Sequence, residues 1–164
     1  MATRSVQVQR ITYISRRPFA EVLARLESKI GHPDMSKFSK DVAAASTDEE
    51  LEQVVHRAVG PADLMEFNRM DFGAVLKKEL GPKAPQSVRL LVGNPLIMKQ
   101  MVKRVPDAGS YAPVTILVDE RPDGIHLSYD TMASYLAAYG NPDALKVARD
   151  LDSKIEALLA EAAG

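Results

Sequence analysis

Two apolar stripes at helical spacing, one towards each end of the chain, constrain this fold more than anything between them. Phe19, Val22, Leu23, Leu26 and Ile30 recur at helical intervals after Pro18, and Leu145, Ala148, Leu151, Ile155, Leu158 and Leu159 do so after Asn141-Pro142. Proline fits a first helical turn because its missing N–H would have no partner there, and asparagine before it can cap. The spacing predicts helices over 18–30 and 142–162, each with one face to bury. Each large side chain buried there contributes ~1.5–3 kcal/mol, so the segments between must supply a common apolar surface.

That surface is predicted to be a sheet. Residues 6–15 read as a strand, with Val6, Val8, Thr12 and Ile14 on one face and Ile11 and Tyr13 on the other. Residues 63–70 alternate, 88–92 look buried, and 113–119 and 125–130 flank Pro122-Asp123-Gly124, a hairpin signal. Residues 72–80 and the stretch after Pro95 read as short helices. Between Pro33 and Gly60, Phe38 and Val42 mark one helix, and Ser46 with Glu49 opens another in a capping-box pattern. Hairpin-joined strands with clustered helices predict an α+β fold: a mainly antiparallel sheet of about five strands, helices on one face, and a helical hairpin inserted at about 33–60. All 164 residues are expected to form a single domain.

Composition narrows the function. A net charge of −1 gives no general attraction to nucleic acid or to an anionic membrane. No cysteine is present, which excludes disulfides and thiolate chemistry. The first twenty residues carry Arg4, Arg10, Arg16 and Arg17 among single apolar residues, unlike a secretory signal, and a cytoplasmic location is expected.

Residues 64–136 resemble the domain-of-unknown-function 302 family of small bacterial proteins. The resemblance rests on Val88-Arg89-Leu90-Leu91-Val92-Gly93-Asn94-Pro95, then Tyr111-Ala112-Pro113, Asp123-Gly124 and Ser128-Tyr129-Asp130, in that order; Pro18 and Phe19 fit the family's opening. It implies a β-α-β(4)-α arrangement, similar to helix-grip or TATA-box-binding-protein-like sheets, often as a homodimer. Many members carry Asp-His where this chain has Asp71-Phe72, so metal or haem ligation by that histidine would have no counterpart here.

Reaction chemistry is not written in the residues. His32, His56 and His126 lack ligand-like spacing, so no metal site is expected. No Gly-x-Ser-x-Gly, P-loop or Gly-x-Gly-x-x-Gly pattern occurs. Asp48-Glu49-Glu50 and Asp119-Glu120 read as solvated faces, as do Lys99, Lys103 and Arg104, with no aromatic residues interleaved for stacking on bases. A small-molecule or cofactor-binding module is the leading expectation, with cofactor identity open. A ligand-free structural or regulatory homodimer is second, and an enzyme third, without a nucleophile–base pair.

The expected ligand site is the turn Gly93, Asn94 and Pro95, whose helix N-terminus favours anions. Tyr111, Tyr129 and Asp130 should lie close by, because antiparallel pairing brings those strand ends together. They would orient the polar end of a ligand while Met98 and Met101, three apart on one helix, receive an apolar end. The capping role of Asn94 is the plain alternative. A homodimer is also expected from the last helix, which carries more leucine-like positions than a small sheet obviously covers.

Overall fold

The computed structural model describes residues 1–164. In chain order the elements are β1 (Arg10–Ser15), α1 (Phe19–Glu27), α2 (Met35–Ala44), α3 (Asp48–Ala58), β2 (Met65–Asp71), α4 (Phe72–Leu80), β3 (Ser87–Gly93), α5 (Pro95–Val102), a 3-10 turn (Pro106–Ser110), β4 (Val114–Arg121), β5 (Gly124–Asp130), α6 (Met132–Ala137) and α7 (Pro142–Ala163). The strands form one sheet in the order β1-β5-β4-β3-β2, with every neighbouring pair antiparallel. The fold is therefore α+β, as the patterning predicts. No helix is long and apolar enough to cross a membrane.

Strand alternation divides the sheet into two unlike faces. Ile11, Leu127, Tyr129, Ile116, Val118, Val88, Leu90 and Val92 pack into a single apolar cluster with Val22 and Leu26 of α1 and Leu151, Ile155 and Leu159 of α7. The two terminal helices thus share one face of the sheet. Leu151, Leu158 and Leu159 of α7 are buried within this chain and Leu145 is half-buried, so most of that stripe is already covered without a second subunit. The opposite face carries Arg10, Thr12, Ser128, Asp130, Thr115, Leu117 and Arg89, and no long helix covers it.

Several boundaries differ from expectation for identifiable reasons. The first strand starts at Arg10 rather than Val6, because Arg10 pairs with Asp130, the last residue of β5. Beyond that point the chain turns into α6, and Gln9 is held by its ends: its N–H donates to Ser134 Oγ at 3.0 Å, and its carbonyl accepts from Thr131 N–H at 2.9 Å. The capping box of α3 sits one residue later than predicted. Thr47 is the N-cap, accepting from Glu50 N–H, while Glu50 accepts from Ser46 N–H at 2.6 Å. In β2 a bulge falls between Glu66 and Asn68, making Phe67 an extra residue that the ladder does not pair. The α2–α3 hairpin has its own small core of Phe38, Val54, Val55, Ala58 and Met65.

Candidate functional site

The open sheet face holds a basin of about 400 Å³, within the usual size range of small-molecule sites. Alternation aims Arg89 of β3, Thr115 and Leu117 of β4 and Ser128 of β5 into it, and these make the floor. Phe72, at the start of α4, stands at one side. Tyr111, from the loop after the 3-10 turn, and Tyr135 of α6 stand at the other. Their rings stack with centroids 4.4 Å apart and planes 13° apart, and the Tyr111 and Tyr139 hydroxyls lie 2.8 Å apart.

The basin's charges are of two kinds. Arg10 grips Asp130 bidentately, Nε to Oδ1 at 2.6 Å and Nη2 to Oδ2 at 2.8 Å, so that pair is internally matched. Arg89 is different. Its Nε and Nη2 donate to Thr115 Oγ1 at 3.3 and 3.1 Å, and none of the chain's ion pairs includes it.

Hydrogen bonding from Arg10, helped by its charge and opposed by partial burial, holds the Asp130 carboxyl below its ordinary value of 3.8. A lowered folded-state pKa gives stabilisation that is complete above the ordinary value and fades as pH falls through the lowered one. NMR titration should therefore find Asp130 titrating below the ordinary Asp value, and Arg10→Gln should raise it towards that value. An unchanged Asp130 titration in Arg10→Gln would mean that the pair does not form in solution. Tyr135 is pushed the other way, first by burial and then by the Asp130 carboxylate, and stays a neutral donor.

A second, apolar cleft of about 190 Å³ lies at the end of β3 and the start of β4. Gly93, Asn94, Pro95, Met98 and Met101 line it, with Phe67 from the bulge, Ile97 and Leu151. Pro113, which follows a cis peptide bond, and Val114 line both the cleft and the basin. Asn94 is buried with its polar atoms engaged: Oδ1 accepts from Leu96 N–H at 2.8 Å, and Nδ2 donates to Asp63 O and Oδ1 at 3.0 Å. Asn94 O also accepts from Met98 N–H, and Pro95 has no N–H, so the turn keeps few donors for an anion.

The expected site residues are thus divided. Five of them form the apolar cleft, Tyr111 and Asp130 border the basin, and Tyr129 belongs to neither. Tyr129 and Asp130 are sequence neighbours on one strand and must face opposite ways. The Tyr129 ring is 1% exposed in the core, and its hydroxyl donates to Asp152 Oδ1 at 2.5 Å. Sequence reasoning missed Arg10, Arg89, Thr115 and Tyr135. The signal for Arg89 was present: it is the one charge within the apolar run Val88–Val92 of a central strand, at a position opposite in phase to Val88, Leu90 and Val92.

No curated protein matches the chain. The crystal structure of an uncharacterized conserved DUF302 protein from Bacillus stearothermophilus is similar, with a TM-score of 0.64 at 14% identity, covering 93% of this chain and 97% of that one; at that identity the likeness is one of fold. The family described as "Domain of unknown function DUF302" matches residues 38–162, a span that takes in most of the helical hairpin and the strands β2 to β5, but not β1 or α1. With well over half of the sequence matched from within α2 to near the end of α7, the chain belongs to the DUF302 family.

Proposed function

We propose that this protein is a small-molecule-binding module whose ligand carries a carboxylate, seated in the basin on the open sheet face. The observation that supports it most is Arg89, a half-buried guanidinium on the floor of a 400 Å³ basin with a hydroxyl for its partner and no protein carboxylate. Guanidinium groups recognise carboxylates through two parallel N–H donors. The stacked tyrosines and Phe72, itself 40% exposed, give the basin apolar walls around the guanidinium. Thr115 and Ser128 add hydroxyls for orientation.

Benzoate is a suitable probe. NMR titration should shift the amides around Arg89, Thr115 and Ser128, and Arg89→Gln should weaken binding at least tenfold, the loss of one charge-assisted pair at ~1.5–3 kcal/mol. Arg10→Gln should change it less, because Arg10 is already engaged by Asp130. Benzoate shifts away from the basin, or an affinity unchanged in a folded Arg89→Gln variant, would overturn the reading.

A symmetric dimer is the second reading, favoured now by α4 rather than by α7. Phe72, Val75 and Leu80 are large apolar residues exposed on that one helix, and a second copy is the commonest cover for such a surface. A dimer mass in light scattering at micromolar concentration is the expected result, and a monomer mass removes it.

A further inference from the structure

We propose that the ligand is amphipathic: an aliphatic carboxylate with its head on Arg89 and its chain passing over Pro113 into the apolar cleft beside Gly93. This rests on the basin reading above and adds the class of molecule. The two cavities are contiguous, since Pro113 and Val114 line both. Arg89 and Gly93 lie on the same face of β3, four residues apart, so head and tail sites are separated by ~13 Å along the strand. That span suits an extended chain rather than a compact polar metabolite.

The cleft is built for hydrocarbon. None of its lining residues is charged, and its one amide side chain, Asn94, has its donors and acceptor engaged within the protein. Met98 and Met101 are flexible thioethers that fit variable apolar shapes. The bulge in β2 brings the Phe67 ring to the cleft, where it and Pro113 flank Gly93. A Cβ there would lie 3.4 Å from Pro113 Cβ and 3.5 Å from Phe67 Cε2. Those are ordinary contact distances, so the backbone tolerates alanine, and its methyl takes the space between Pro113 and Phe67 beside which the proposed chain would run.

The test is calorimetry with butanoate, hexanoate, octanoate and octan-1-ol on the native protein, Arg89→Gln and Gly93→Ala. Kd is expected to fall about fourfold per added methylene, from the transfer of each CH₂ out of water. Gly93→Ala should weaken octanoate about tenfold, the scale of one methylene in a hydrophobic pocket, and leave butanoate unchanged. Arg89→Gln should weaken all the carboxylates alike and leave octan-1-ol unaffected. Should Gly93→Ala fail to fold, the methyl resonances of Met98 and Met101 in the native protein give the same answer, shifting with octanoate and not with butanoate. Affinity independent of chain length, or methyls that stay still, overturns the tail placement and leaves the basin reading intact if Arg89 still matters. Length-dependent binding indifferent to Arg89→Gln overturns the basin reading, and with it the head placement. No carboxylate binding at all overturns both.

Discussion

Asp152→Ala is expected to lower the unfolding free energy by about 4 kcal/mol, more than any other single polar change in this chain. Asp152 is 6% exposed on the buried side of α7. Its Oδ1 accepts from the Tyr129 hydroxyl at 2.5 Å and from Met132 N–H at 2.7 Å, and its Oδ2 accepts from Ala133 N–H at 2.9 Å. Removing the carboxylate strips the Tyr129 hydroxyl and Ala133 N–H of their acceptor and leaves Met132 N–H only its 3.2 Å bond to the Tyr129 hydroxyl oxygen, and each donor left unsatisfied costs ~1–3 kcal/mol. The three share one acceptor group, so the sum is sub-additive.

The position also does what the local sequence of α6 does not. Thr131 precedes that helix but makes no side-chain capping bond, so its first N–H groups are capped from α7. Burial and the adjacent carboxylate push the Tyr129 phenol far up, which keeps it a donor to Asp152 at any ordinary pH. Asp152→Asn keeps one acceptor but turns an N–H₂ group towards the donors, and should cost about 2 kcal/mol. Tyr129→Phe removes one donor and should cost about 1 kcal/mol. Urea unfolding of the three variants gives the ranking, and a loss below ~1 kcal/mol in Asp152→Ala would mean that water replaces the carboxylate. Because α6 carries Tyr135, loosening it should also disturb the Tyr111–Tyr135 stack and the basin wall.

The elements of this fold were largely legible because each carries its own periodic signal. The stripes of α1 and α7, the hairpin turn at Pro122-Asp123-Gly124 and the proline starts of α5 and α7 are all local. What the sequence did not display is what depends on pairing between distant segments. Helix α6 was missed because it is six residues long and is capped by a residue of another helix. The bulge at Phe67 exists only in the register of β2 against β3. The site was half legible: the Gly-Asn-Pro turn and the methionines do line a cavity, and Tyr111 and Asp130 do share one. Drawing Tyr129 and Asp130 into one site set aside the two-residue period of a strand. Applying that period to residues 88–92 would have turned Arg89 outward and led to the basin floor.

Gly31 shows the same division, and the prediction there is equally large. A glycine directly after an apolar helical stripe suits a helix stop, yet α1 ends four residues earlier, at Glu27, and Gly31 is not among the residues with positive φ. Its small size is needed by a crossing of two chain segments. A Cβ on Gly31 would lie 1.9 Å from Ala58 O, and one on Gly60 would lie 2.5 Å from Ile30 C. The segments after α1 and after α3 therefore run backbone to backbone, both tied to the start of β2: Gly31 N–H and Gly60 N–H each donate to Leu64 O, at 2.8 and 2.9 Å. The obstructing atoms are main chain, so no side-chain rotation relieves the clash, and the two segments must separate. Gly31→Ala is expected to destabilise by about 4 kcal/mol, at the upper end for a single added methyl group because the backbone has to move. Gly109→Ala is the control. Its Cβ would meet only Val102 Cγ2, at 3.8 Å, and its loss should stay within about 0.5 kcal/mol. The damage in Gly31→Ala should be localised, with the α2–α3 hairpin and β2 losing hydrogen-exchange protection before β4 and β5, since the crossing holds the hairpin to the sheet edge. Equal stabilities for the two alanine variants in urea would show that the segments can part freely, and that the hairpin is held by its own apolar core alone.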